Sequence, residues 1–85
     1  MATFTNLYVI TSTRQSIVSI DNVTQYVTLH SEGSTYVGNS AVTDDNGIHI
    51  ANNETLQLVL PTGCDLWAVA ASGSHDLRVL ITRVD

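Results

Sequence analysis

The chain reads as an all-β protein: a compact β-sandwich of about eight short strands, of which the jelly roll is one form. Three observations predict this. Thr, Ser and Val dominate, so β-branched residues stand where an α protein would place helix formers. No window of about 11 residues sustains apolar positions at i, i+3, i+4 and i+7. Turn residues recur every ~8–12 positions, the spacing of a sandwich or barrel and not of a βαβ unit. Residues 1–85 read as one domain, with no internal repeat, linker or low-complexity tail.

Strands are expected over 3–11, 14–21, 24–30, 35–37, 49–51, 55–60, 66–71 and 77–84. The first two are rich in β-branched residues. The third alternates, with Val27 and Leu29 on one face and Tyr26, Thr28 and His30 on the other. In the sixth, Leu56, Leu58 and Leu60 line one face. Trp67-Ala68-Val69 and Leu77–Ile81 are apolar on both faces, as in strands covered by a second sheet and by another chain. Val37, Val42, Ile48, Ile50, Leu66, Val69, Val79 and Ile81 complete the expected core. Gly38-Asn39, Asp45-Asn46-Gly47, Pro61-Thr62-Gly63 and Ser72-Gly73-Ser74 are the turns. Ala41–Gly47 has room for one helical turn that Gly47 ends, and Asn46-Gly47 suits a type I′ turn with positive φ at both residues.

A chain of 85 residues lies near the lower limit of unaided folding. Small scaffolds lean on disulfides, a metal or a partner. Cys64 is the only cysteine, so no intrachain disulfide forms, and a partner subunit or larger surface is the expected support. Eight acidic residues face three arginines and no lysine, for a net charge of −5. Nucleic-acid affinity needs clustered cations, so nucleic acid is not an expected partner, nor is an anionic membrane. MATFTNLYVI lacks the pattern of a signal peptide, and no stretch reaches the ~20 apolar residues of a membrane helix. Synthesis in a cytoplasm is expected.

Residues with chemical potential are scattered. Ser74-His75-Asp76 names a catalytic triad, but adjacent strand residues point to opposite faces; a polar turn before the last strand is the expected structure. His30, His49 and His75, with Glu32 and Asp76 as carboxylate neighbours, lack metal-site spacing. Asp44-Asp45-Asn46-Gly47 lacks the closing glutamate of a calcium loop. Cys64 has no basic neighbour to lower its pKa. No metal, cofactor or enzyme activity is expected. Trp67 is the best contact anchor, since interfaces favour Trp; Tyr26 and His49, facing away from the expected core, join it as interface candidates.

One family resemblance emerges. Thr35-Tyr36-Val37-Gly38-Asn39-Ser40-Ala41-Val42-Thr43, followed by Asn46-Gly47-Ile48, resembles small virion structural proteins of tailed bacteriophages, of head-decoration or head-fibre type. Glu54-Thr55-Leu56-Gln57-Leu58, Leu66-Trp67-Ala68-Val69, Ala71-Ser72-Gly73-Ser74 and Leu77-Arg78-Val79-Leu80 continue the match in order, and Asp21-Asn22 echoes the family's Gln-Asn. Coverage is about two thirds of the chain. The chain departs from the family at Asn39 (a glycine there), His49 (a proline) and Asn52-Asn53 (small residues). Asn39 is expected to tolerate the left-handed region.

The resemblance implies a virion component, with the major capsid protein or another virion protein as partner. A capsid decoration protein on the outer head surface, stabilising the shell, is the first expectation. A homo-oligomer is expected with it, a trimer first, because capsid lattices offer three-fold positions. The alternatives are a fibre, collar or tail-associated adaptor or host-contact module and, from another class, a carbohydrate-binding module using Trp67 and the tyrosines.

Overall fold

In the computed structural model, which describes residues 2–84, eight strands form two antiparallel four-stranded sheets. The strands are β1 (Ala2–Ile10), β2 (Gln15–Val18), β3 (Thr24–Ser31), β4 (Thr35–Gly38), β5 (Ile48–Ile50), β6 (Thr55–Leu60), β7 (Leu66–Val69) and β8 (His75–Val84). Sheet A has the order β1-β8-β3-β6 and sheet B the order β2-β7-β4-β5. The first strand pairs with the last, the second with the seventh, the third with the sixth, and the two central strands with each other. The chain is thus one long antiparallel ribbon bent over on itself, and its strand order is that of a jelly roll.

All eight expected strands exist; their ends differ. β8 begins at His75, two residues before the expected start, so His75 and Asp76 pair with Ile10 and Val9 instead of lying in a turn. β2 stops at Val18 and β7 at Val69, both shorter than expected. Residues Ala70 and Ala71 leave the ladder because the Ala70 N–H donates to the Thr11 carbonyl at 2.8 Å, in the link between β1 and β2.

The core between the sheets is aliphatic. Ile10, Ile17, Val27, Leu29, Val37, Ile50, Leu77 and Val79 are each at most 2 % exposed, with Tyr8, Leu56 and Leu58 packed at its margin. β3 shows the pattern most plainly: Val27 and Leu29 are buried, while Tyr26 points outward. Burying one such side chain contributes about 1.5–3 kcal/mol, so this cluster supplies the main drive to fold.

The two sheets differ in size. Strands of sheet A have 9, 10, 8 and 6 residues, those of sheet B 4, 4, 4 and 3. Sheet A therefore overhangs its partner. Phe4 pairs with core residue Ile81 and so faces inward, yet it is 42 % exposed because sheet B does not reach it. The Arg83 guanidinium covers that ring, 4.7 Å from its centroid. Arg83 Nε also lies 3.0 Å from Asp21 Oδ2 and 3.2 Å from Gln25 Oε1. Gln25 is fully buried, and its amide donates to the Ser19 carbonyl at 3.0 Å. A cation–aromatic contact and a satisfied polar cluster thus close the overhang where aliphatic packing ends.

Ile48 corrects the expected core. It pairs with Val37 and points inward, but it lies on edge strand β5 and is 63 % exposed. The expected type I′ turn at Asn46-Gly47 also fails, and Asn39 has no left-handed conformation to tolerate. Neither Asn46-Gly47 nor Asn39 has positive φ; Asn53, at +65°, is the one left-handed non-glycine among the described residues. Asn46 works through its side chain, whose Oδ1 accepts the Thr43 N–H at 2.7 Å, while the Gly47 N–H donates to the Thr43 carbonyl at 3.0 Å. Gly47 is needed for space. A Cβ there would lie 2.8 Å from both Tyr36 Cβ and Val42 Cγ2.

Candidate functional site: an apolar stripe and an aromatic cleft on opposite faces

Five of the eight large apolar side chains exposed among the described residues share the outer face of sheet A. Register places them. Tyr26 pairs with Val59 on one side and Thr82 on the other. Leu80 lies opposite Thr28 and Thr5, and Leu7 opposite Arg78; Val9 faces Asp76. The result is a diagonal from Val9 and Leu7 on β1, through Leu80 on β8, to Tyr26 on β3 and Val59 on β6. Tyr26 is 50 % and Leu7 58 % exposed. Threonines fill much of the remaining face. Its charge is local: Arg78 Nη1 lies 2.9 Å from Glu32 Oε1, and that hydrogen bond and charge hold the guanidinium pKa above its ordinary value. A shallow depression of about 320 Å³ between β3 and β6 ends the diagonal at Tyr26 and Val59.

The outer face of sheet B is built differently. Gly38 of β4 sits opposite Trp67 of β7, and Tyr36 opposite Val69. The link from β4 to β5 folds back over this face. Val42, 1 % exposed, is its plug, against Gly38 and close to the space at Gly47. Val42 and Val69 are thus buried as expected, but outside the core between the sheets. Beside this plug lies a cleft of about 620 Å³ lined by Trp67, Val69, Arg14, Asp44, Ser12 and Ser40 among others. Trp67 Nε1 donates to Asp65 Oδ2 at 3.0 Å, which fixes the indole.

The three expected interface residues therefore do not share a surface. Tyr26 belongs to the stripe on sheet A. Trp67 lines the cleft on sheet B, and His49, stacked on Tyr36 at 4.9 Å between centroids, lies on that same sheet. No single flat contact takes all three. Sequence alternation gave each residue's direction along its own strand; the assignment of strands to sheets decides which directions coincide.

The histidines are equally dispersed. His30 bonds Thr55 Oγ1 at 3.1 Å across the outer face of sheet A. His75 points between the sheets, where Nε2 lies 2.6 Å from Thr35 Oγ1. Thr35 Oγ1 is 2.8 Å from Ser31 Oγ, which in turn donates to the Gly33 carbonyl. A Cβ at Gly33 would press on the His75 ring, 2.6 Å from Nδ1, so glycine lets the imidazole in. Sequence reasoning missed this chain of side chains because its members sit on three strands of two sheets. The one local signal was the alternation that makes Ser31 and Thr35 inward-facing. No group of three metal-ligating side chains converges among the described residues. Cys64 is exposed.

No family model matches the chain. No curated protein matches it either. Among solved structures, it is similar to one described as Bacillus endospore appendages that form a novel family of disulfide-linked pili, with a TM-score of 0.61 and 8 % identity over 99 % of this chain and 87 % of that one. At this identity the likeness is one of fold alone.

Proposed function

We propose that this chain is a non-enzymatic structural subunit that docks on a larger protein assembly through the outer face of sheet A. The setting implied by the sequence resemblance is the outside of a tailed-phage head. The carrying observation is the apolar diagonal from Leu7 through Leu80 to Tyr26 and Val59, exposed on all four strands of the larger sheet. Contiguous apolar exposure rimmed by polar residues is the mark of a protein-binding surface. A subunit that binds the assembled shell and not its dissociated parts stabilises the shell by mass action. Repetition over a symmetric lattice turns weak single contacts into firm attachment. The test is to incubate purified protein with undecorated shells of the particle and sediment them. Co-sedimentation at a saturating copy number, with slower shell dissociation on heating, is expected; protein that stays in the supernatant contradicts the reading.

A second reading, a subunit of a filamentous appendage, is favoured by the structural neighbour. A chain extended by disulfides needs two cysteines per subunit, and these residues include only Cys64. Contacts between appendage subunits made by these residues would run through sheet edges and faces. Electron microscopy of the concentrated protein alone separates the readings: filaments support the appendage, dispersed particles the decoration protein.

A further inference from the structure

The cleft on sheet B has a composition unlike that of the docking stripe. Its volume, about 620 Å³, falls in the range of small-molecule sites. An indole and an aliphatic surface, Trp67 and Val69, lie between two polar flanks that belong to different connections. One flank is Arg14 with Ser12, in the link from β1 to β2. The other is Asp44 with Ser40, in the link from β4 to β5.

The backbone of both flanks is held in place. The first is tied to the end of β7 by the Ala70 N–H on the Thr11 carbonyl and braced by the Thr13 N–H on Thr11 Oγ1 at 3.2 Å. The second is held by buried Val42, by Asn46 on Thr43, and by the Ala41 N–H on Asn39 Oδ1 at 2.9 Å. Asp65 uses the polar edge of the Trp67 indole, so the ring offers its carbon surface to the cleft. Such fixed walls lower the ordering cost of binding.

This constellation selects a ligand class. A pyranose has a C–H face that suits an aromatic carbon surface and a rim of hydroxyls that both donate and accept. Asp44 accepts from such hydroxyls, Arg14 donates to them, and the serine hydroxyls do either. An anionic ligand would meet Asp44 within a protein of net charge −5. A wholly apolar ligand would leave the Arg14 and Asp44 flanks desolvated without partners. We infer that the cleft binds a neutral saccharide, its C–H face on Trp67 and its hydroxyls on Asp44 and Arg14. This site faces away from the docking stripe on sheet A, so a subunit seated by that stripe would present the cleft outward. The saccharide assignment stands on the cleft's own residues and is independent of the docking reading.

The experiment is an array of neutral and sialylated oligosaccharides probed with the purified chain, followed by titration of the best neutral binder. Trp67 is the only tryptophan, so its fluorescence reports the cleft directly. The expected result is binding to at least one neutral oligosaccharide, a saturable change in Trp67 emission, and affinity lower by about tenfold or more in Asp44→Asn and in Arg14→Ala. Both substituted side chains are exposed, and circular dichroism confirms that the variants fold. Three outcomes overturn the inference: no neutral glycan bound, binding confined to sialylated glycans, or affinity unchanged in both variants.

Discussion

The Thr35 hydroxyl of β4 and Nε2 of His75 at the start of β8 lie 2.6 Å apart, a hydrogen bond that joins sheet B to sheet A. Thr35 also bonds Ser31 at 2.8 Å, and both hydroxyl residues are fully buried. A buried polar link between the sheets favours the stacking in which all three groups are satisfied. Thr35→Val keeps the shape and takes the partner from His75 Nε2, while Ser31 retains its bond to the Gly33 carbonyl. Leaving a buried polar group unpaired costs about 1–3 kcal/mol. A fall in unfolding free energy of that size is expected in urea denaturation, with the slope of the transition unchanged.

Direction and burial are separate properties in this fold, and two core-facing residues measure the difference. Leu29 is fully buried between the sheets, whereas Ile48 faces the same space from edge strand β5 and remains 63 % exposed. Leu29→Ala is expected to destabilise by about 2–5 kcal/mol. Ile48→Ala should stay within about 0.5 kcal/mol of the parent, as surface substitutions do. Equal losses in the two variants would mean that β5 is covered after all.

Asn53 carries a φ of +65° in the turn before β6, with its N–H donating to the Ser31 carbonyl at 2.7 Å. A left-handed conformation costs residues with a Cβ about 1–2 kcal/mol, and Asn bears it better than most. Asn53→Ala should lower the thermal midpoint, while Asn53→Gly should leave it near the parent value. The order of the two variants in a melting experiment is the readout.

Attachment to the assembly should depend on the stripe and not on the fold. Leu80→Lys and Leu7→Lys place an ammonium on an exposed apolar surface, so the isolated chain keeps its stability to within about 0.5 kcal/mol. Co-sedimentation with shells is expected to fall by tenfold or more, because burying an unpaired charge in a contact is costly. Asp44→Asn, on the opposite face, should sediment as the parent does.

Much of the fold was legible because alternation is local. Eight turn-bounded apolar runs became eight strands, and Tyr26 against Val27 and Leu29 separated as the alternation required. What escaped depended on contacts between distant segments. His75 joins β8 because Ile10 is there to pair with it, 65 residues earlier. Phe4 points inward where the opposite sheet does not reach, and Ile48 points inward from edge strand β5 yet stays exposed. Asn46 and Gly47 look like a two-residue hairpin turn, yet the link from β4 is long enough to fold back and place Val42 on sheet B. The candidate site was legible only in part. Trp67 and Tyr26 are both contact residues in form, but nothing local shows that they belong to opposite faces, or that Arg14 and Asp44 flank the same tryptophan.

Hydroxyl-radical footprinting of the protein, free and bound to shells, tests the docking surface most directly. Strong protection of Tyr26, Leu80 and Leu7 on binding, with Trp67 still reactive, is the predicted pattern. Protection centred on Trp67 and His49 with Tyr26 unchanged, or no protection anywhere, would contradict it.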